Sequence, residues 1–298
     1  MAIIIDENTR VLIQGITGRF GELVTRNSLD FGTKVVAGCT PGRGGESVWG
    51  VPVYNTVREA IKEQGPIGAS LIVVPGPGAK KAALEAIDEG IKTMLMGVER
   101  VPLHDALEVI NYAKRANVRL IGPGSGGIVS AGKANLGFIG ADPEVAGTAF
   151  IPGRIGVISR SGGQTSTLAW VVCQAGFGIS TAVNLGSEPI LGTTFPELLP
   201  LFQADDETDG IVYFGEMGTV MEEEAAEVMK EGGYTKPLIA YIAGRGLPAG
   251  LRFSHASAII EGGRGTPESK IKSLKDAGAC VVEKPEDISS ALQQIFER

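Results

Sequence analysis

Val11-Leu-Ile-Gln-Gly15-Ile-Thr-Gly18-Arg-Phe-Gly21 sets the architecture of the chain: a short apolar run gives way to a glycine turn and then to a helical pattern over 20–31. An apolar run without polar alternation is a strand buried on both faces, and a helix directly after it marks a βα unit. The same order recurs downstream. Apolar, β-branched runs at 34–38, 70–75, 93–97 and 118–121 are separated by helical patterns near 56–63, 78–89 and 104–116. Several of these helices close on glycine, as at Gly32 and Gly90, the residue that best adopts the left-handed turn at a helix end. The alternation predicts an α/β, Rossmann-like domain with a parallel, doubly wound sheet.

After Ile121 the pattern changes. Residues 122–153 are rich in Gly, Pro, Ala and Ser and hold only short apolar pieces, which places a domain junction there. Five further βα units follow, with strands at 155–159, 178–184, 210–214, 238–243 and 279–282. Their helices fall near 164–175, 194–203, 222–231, after 266, and near 286–296. The expected division is residues 1–128 as the first domain and 129–298 as a flavodoxin-like second domain, with no sequence repeat between them.

Composition narrows the function classes. The 298 residues suffice for two ordinary cores. A net charge of −7 offers no basic face to nucleic acid. The three cysteines, Cys39, Cys173 and Cys280, are scattered and form no C-x-x-C pair, so neither a disulfide framework nor a metal site is indicated. No apolar run is long enough to span a membrane and no basic leader precedes one, so a reducing, cytoplasmic compartment is expected.

In doubly wound sheets ligands bind beyond the carboxyl ends of the strands, so the informative residues lie just after each apolar run. Gly15 to Gly21 leads into a helix N-terminus, which offers backbone N–H groups to a phosphate. Its G-x-x-G-x-x-G spacing differs from the dinucleotide G-x-G-x-x-G, so the second strand has to decide. A cofactor with free ribose hydroxyls asks for Asp or Glu there. This chain runs instead into Cys39-Thr-Pro-Gly-Arg43-Gly-Gly45. A cation at Arg43 suits an extra phosphate on the ribose, as in NADP or coenzyme A; the alternative is an exposed loop charge. Pro75-Gly-Pro-Gly78 and Val98-Glu99-Arg100, after the third and fourth runs, would complete the rim.

In the second domain, Ser159-Arg-Ser161-Gly162-Gly163-Gln164 follows a strand and opens a helix, a second candidate anion site. Its alternative is a pair of glycines that only relieves a tight turn. Phe214-Gly215-Glu216-Met217-Gly218 follows the third strand of this domain, and the loop after the fourth carries His255, one of two histidines in the chain. At a shared sheet edge, Glu216 can accept a hydrogen bond from one ring nitrogen and leave the other as a nucleophile; a solvated loop acid is the plainer reading. Glu222-Glu-Glu224 reads as surface acid complementing a helix dipole. His104, at a helix start, reads as structural.

Together these motifs resemble the α subunit of succinyl-CoA synthetase (succinate–CoA ligase, ADP- or GDP-forming) over essentially the whole chain. The resemblance rests on Gly15-Ile-Thr-Gly-Arg-Phe-Gly21, Thr40-Pro-Gly-Arg-Gly-Gly45, Ser159-Arg-Ser-Gly162, Gly215-Glu-Met-Gly218 and His255-Ala-Ser-Ala-Ile-Ile-Glu-Gly-Gly-Arg-Gly265. It implies a first domain that binds coenzyme A and a second that carries a transiently phosphorylated histidine. It also implies a separate ATP-grasp β subunit that binds ATP or GTP with Mg²⁺, in an αβ or α2β2 assembly. By the same resemblance, His255 is the phosphohistidine, Glu216 its orienting carboxylate, and Ser161, Gly162 and Gly163 hold the phosphate. Thr17, Gly18, Arg19, Phe20, Arg43, Gly97, Val98 and Glu99 would contact coenzyme A, with Pro75 on the rim. The implied reaction joins a small carboxylic acid to coenzyme A through an acyl phosphate.

Three departures bear on the substrate. Arg43 stands where the family usually has Lys, and Gly124-Ser-Gly-Gly127 where it has Asn-Cys-Pro-Gly. Ser161-Gly-Gly-Gln-Thr-Ser166 replaces Ser-Gly-Thr-Leu-Thr-Tyr, whose tyrosine lies by the carboxylate substrate. Ser166 therefore implies a changed acid pocket with room for a bulkier or more polar acid. The segment is similar to that of ATP citrate lyase and citryl-CoA synthetase, which makes citrate or malate an alternative to succinate. From other classes, an NADP-dependent oxidoreductase and a non-catalytic CoA-binding regulatory paralogue remain open at this point.

Overall fold

The computed structural model describes residues 3–140, 143–245 and 264–296. The first sheet comprises β1 (Arg10–Gln14), β2 (Lys34–Cys39), β3 (Ser47–Val48), β4 (Val51–Tyr54), β5 (Ala69–Ile72), β6 (Thr93–Met96) and β7 (Arg119–Ile121). Their order is β3-β4-β2-β1-β5-β6-β7, and the pairings are parallel except for the β3–β4 hairpin. Helices α1 (Arg19–Asp30), α2 (Val57–Gln64), α3 (Gly76–Asp88) and α4 (Leu103–Arg115) make the crossovers. Leu12, Ile13, Leu71, Ile72, Leu95 and Met96 are all buried, which is why these strands show no polar alternation. Because the chain moves from β1 to β2 on one side and later to β5 on the other, the crossovers diverge at the carboxyl end of β1. The crevice of a doubly wound sheet opens at that point, directly over Gly15.

The second sheet takes β8 (Gly127–Ser130), β9 (Ala134–Gly137), β10 (Pro152–Ser159), β11 (Ile179–Asn184), β12 (Gly210–Gly215), β13 (Leu238–Ile242) and β14 (Cys280–Val282) in the order β14-β13-β12-β10-β11-β8-β9. Strands β10 to β14 are mutually parallel, in the 2-1-3-4-5 order of flavodoxin-like sheets. The helices are α5 (Pro143–Ala149), α6 (Gly162–Gln174), α7 (Phe195–Ala204), α8 (Met221–Lys230), α9 (Pro267–Asp276) and α10 (Asp287–Phe296). Their starts follow local chemistry. Thr194 and Glu197 form a capping box at α7, and Thr266 caps α9 by accepting the N–H of Ser269 ahead of Pro267 at the first helical position. The crevice of this sheet opens at the carboxyl end of β10, over Ser161.

The glycine-rich stretch 122–153 is more ordered than its composition suggests. The β8–β9 hairpin lies antiparallel against β11, with Thr181 opposite Ser130 and Val183 opposite Ile128, and extends the second sheet. Gly127 pairs with Gly137 at its base, both at positive φ (138° and 122°). A Cβ on Gly137 would sit 2.6 Å from the Gly127 Cα, so only glycine allows this approach. Strands of four residues flanked by such glycines leave too few positions to show a period.

One apolar cluster runs through both sheets, joining Ile13, Leu71, Leu95 and Ile121 to Ile128, Leu136, Ile158 and Val183. Each sheet has a separate core on its other face. Each large aliphatic side chain in the shared cluster contributes roughly 1.5–3 kcal/mol by burial, so the two sheets hold each other in place. Among the described residues no helix is long and apolar enough to cross a membrane.

Candidate active site

The first crevice is built by four neighbouring loops. Gly15 (φ 87°) turns the chain out of β1 and donates its N–H to the Cys39 carbonyl at 2.8 Å. Gly18 then caps α1 through its backbone alone; no side chain caps the helix. The N–H groups of Arg19, Phe20 and Gly21 in the first turn thus have no helical acceptor and favour an anion. Gly21 allows this turn to lie on the loop itself, since a Cβ there would meet the Gly15 carbonyl oxygen at 2.1 Å. First-turn backbone donors presented in this way fit a phosphate of coenzyme A.

The other three loops close around it. Thr17 donates to Thr40 across 3.2 Å, tying the β1 loop to the β2 loop. Asn55, which sequence reading passed over, holds the β2 loop by accepting the N–H groups of Gly42 and Gly44 at 2.9 and 3.1 Å. Arg43 lies exposed on that loop and makes a two-pronged ion pair with Glu46. The hydrogen bond with Glu46, with its charge, raises the guanidinium pKa and lowers that of the carboxyl. Pro75 precedes α3, and Gly76 packs on the carbonyl of Arg100, so the β5 and β6 loops touch. Gly97 donates to Ile72 at 3.1 Å, which puts Val98 and Glu99 beside them. Thr17, Gly18, Arg19, Phe20, Arg43, Pro75, Gly97, Val98 and Glu99 therefore border one crevice. Cys39, beneath it, is no nucleophile: burial first, then Glu85 and Glu59, push its thiol up to about 12.

In the second crevice Ser159 ends β10 and its hydroxyl accepts the Ser161 N–H at 3.0 Å. Ser161 caps α6, weakly, accepting the Gln164 N–H at 3.5 Å. Gly162 and Gly163 form the first turn, and nothing lies within 4 Å of a Cβ built on Gly163, so the space before the helix is open. Ser166 is half-buried in the next turn. Asn184, at the end of β11, fastens this crevice to the first domain. Its Oδ1 accepts the Gly126 N–H, its Nδ2 donates to the Ser159 carbonyl at 3.2 Å, and its own carbonyl accepts Ser125 Oγ at 2.6 Å. Glu188 extends the seam by accepting the Arg100 N–H at 2.7 Å, while buried Arg160 donates to the Glu188 carbonyl at 2.9 Å.

Glu216 follows β12 and is half-buried. His255 lies outside the described residues. The chain on either side of 246–263 rests on the loop after Glu216: Gly244 packs on the Met217 side chain, and the Gly218 N–H donates to the Gly265 carbonyl at 2.8 Å. Of the acidic triplet, only Glu224 is a surface residue. Glu222 and Glu223 are 1% and 6% exposed, which corrects the surface reading. They face α9 rather than solvent, and Lys270 of α9 pairs with them. His104 is exposed on the first turn of α4.

The CoA binding domain family matches residues 6–100 and the CoA-ligase family residues 158–280, one on each crevice. The chain is 46% identical to succinate–CoA ligase (ADP-forming) subunit alpha 2 of Archaeoglobus fulgidus, over 99% of this chain and 100% of that one. It is 39% identical to the ADP-forming sulfoacetate-CoA ligase subunit SauD of Bilophila wadsworthia, over 99% and 100% of the two chains. Its fold is that of ATP citrate lyase from Methanosaeta concilii, with a TM-score of 0.90 at 23% identity, over 98% of this chain and 50% of that longer one. Two crevices in order, a CoA-binding domain over the first and this full-length identity lead to one conclusion: the chain belongs to the family of α subunits of ADP-forming succinate–CoA ligases.

Proposed function

We propose that this chain is the phosphoryl-carrying subunit of an acid–CoA ligase, working through His255. A ring nitrogen of His255 attacks the terminal phosphorus of a nucleoside triphosphate bound on an ATP-grasp β subunit; the bond to the diphosphate breaks and phosphohistidine forms. A carboxylate oxygen of the acid then takes the phosphoryl group as the N–P bond breaks, giving an acyl phosphate. The thiol of coenzyme A, losing its proton, attacks the acyl carbon and phosphate leaves. Such transfers depend on positioning and charge stabilisation. Ser161, Gly162 and Gly163 supply the latter with first-turn N–H groups of α6. Glu216 orients the imidazole, and Thr17 to Phe20, Arg43, Pro75 and Gly97 to Glu99 hold coenzyme A. NADP and hydride transfer have no place in this reading, because the matched domain is a CoA-binding one. A cytoplasmic setting goes with it.

The observation that carries the proposal is that the chain on both sides of the His255 segment rests on the Glu216 loop. This is the same sheet edge at which α6 points its N-terminus. The test is incubation with a β partner and γ-labelled ATP. Wild type should take up acid-labile phosphate and His255→Ala none; label retained in His255→Ala overturns the assignment. A second reading concerns the acid. Ser166 stands half-buried near the α6 N-terminus, and the named relatives act on succinate and on sulfoacetate. A small side chain here favours an acid with a polar substituent, citrate or malate included. Initial rates across succinate, malate, citrate and sulfoacetate decide it.

A further inference from the structure

Beneath the Glu216 loop lies a polar cluster to which the reaction above gives no task. Tyr213 of β12 donates to Glu222 Oε1 at 2.8 Å, and Lys270 of α9 donates to Glu222 Oε2. Phe195 stacks on the Tyr213 ring at 3.8 Å. Burial first, then the charge of Glu222 and its hydrogen bond, push the Tyr213 phenol well above its usual range, which keeps it a donor. Glu223, one residue on, turns to the other side. Its Oε1 accepts the backbone N–H of Gly265 at 2.8 Å and the Ser269 hydroxyl at 2.9 Å, while Lys270 Nζ stands 3.9 Å from its Oε2.

Buried charges of this kind are a poor way to gain stability, since apolar side chains of similar volume hold helices together as well. What a carboxylate does that a leucine cannot is accept a particular N–H. The residue it selects is telling. Gly265 is held on both of its polar backbone groups, its N–H by Glu223 and its carbonyl by the Gly218 N–H at 2.8 Å. The position also tolerates only glycine: with φ at 78°, a Cβ there would lie 2.6 Å from the Thr219 carbonyl oxygen. Gly218 lies two positions after Glu216, and His255 ten positions before Gly265. We infer that Glu223 is a positioning residue: by clamping Gly265 it fixes the described residue that follows the histidine-bearing segment relative to the Glu216 loop. Lys270 and Tyr213 hold α8 and α9 in the register that lets Glu223 reach.

This rests on the His255 reading, and the experiment separates the two. Full-length wild type, Glu223→Ala, Glu223→Gln and Glu223→Asp are paired with the β subunit. Single-turnover phosphorylation by γ-labelled ATP is measured beside calorimetric CoA affinity. Misplacing a reacting group by about 1 Å costs up to about a hundredfold in rate, so Glu223→Ala should slow phosphorylation about ten- to a hundredfold with CoA affinity unchanged. Glu223→Gln keeps the reach and the acceptor oxygen and should recover most of the rate. Glu223→Asp keeps the charge, loses the reach and should not. Phosphorylation of Glu223→Ala at the wild-type rate overturns the inference, as does Glu223→Asp matching Glu223→Gln. Should Glu223→Ala fail to fold, the Gln and Asp pair decides alone. A wild type that takes no acid-labile phosphate overturns the His255 reading and this inference with it; equal labelling of wild type and Glu223→Ala overturns this inference only.

Discussion

The sharpest test of the first crevice is Gly21→Ala. Alanine is ordinarily the better helix former, so on an isolated helix the change would stabilise. Here the new methyl group would meet the Gly15 carbonyl oxygen at 2.1 Å and the Ile16 Cα and carbonyl carbon at 2.8 Å. These are backbone atoms and have no rotamer to escape into. Restoring ordinary contact needs a displacement of roughly 1 Å between helix and loop, at an overpacking cost of about 1–3 kcal/mol. If that cost falls on the ligand-binding arrangement, it is a loss of about 5- to 150-fold in CoA affinity. Gly18→Ala is the control. Its φ of −77° suits any residue, and its nearest neighbour is the Gly15 carbonyl oxygen at 3.3 Å, so helix and loop should keep their places and the melting temperature should stay near that of wild type. The assay is calorimetric titration of both variants with coenzyme A beside thermal melting. Wild-type affinity in Gly21→Ala would refute the argument, and so would equal damage from the two substitutions.

Two further outcomes follow from named contacts. Asn184→Ala leaves the Gly126 N–H buried without its acceptor and takes from the Ser159 carbonyl the second of its donors, the Leu185 N–H remaining. It should lower stability by about 1–3 kcal/mol, and an unchanged melting temperature would show that the seam does not depend on it. Arg43→Ala should weaken coenzyme A binding a few-fold at low ionic strength and much less at high salt, as expected for an exposed charge. Glu46→Gln, which frees the same guanidinium from its ion pair, should act in the opposite direction; titrations at two salt concentrations read both.

Most of the fold was legible because it is written in local patterns. Fully apolar runs such as Val11-Leu-Ile and Gly210-Ile-Val-Tyr-Phe alternate with amphipathic helices, and where both ends of a helix were expected the observed ones lie within two residues of them. What escaped notice was short, like the seven-residue α5, or made by pairing at a distance. The β3–β4 hairpin has a two-residue edge strand, β8 takes its strand character from β11, more than forty residues away, and β9 takes its own from β8. Gly127 and Gly137 read as loop residues singly and as a close strand contact only as a pair. The loops bordering each crevice were legible for another reason: a doubly wound sheet delivers every β-to-α turn to one edge, so finding the strands finds the loops.

The acidic triplet shows where that logic stops. Three glutamates in the first turn of a helix satisfy the dipole argument whether they face water or not, and Lys270 lies in a helix with two other lysines, Lys272 and Lys275. No window of either segment contains the fact that α8 and α9 face each other, with Glu222 and Lys270 forty-eight positions apart. One signal was nonetheless present. Tyr213 sits in the middle of a strand that is otherwise wholly apolar, and a buried phenol needs an acceptor. Asp205 to Asp209 precede the strand at its opposite end, and the first acids to follow Tyr213 are Glu216 and Glu222. Glu216 lies past the end of the strand, in the loop at the sheet edge. Glu222 opens the crossover helix, which must fold back over one face of β12 to reach the next parallel strand, and so can come down onto the ring. Had that inference been drawn, Glu222 would have been placed in the interior, and the neighbouring Glu223, about 100° further round the helix, would have been directed at whatever packs beside α8. That neighbour is the start of α9, the first helix described after the histidine in sequence.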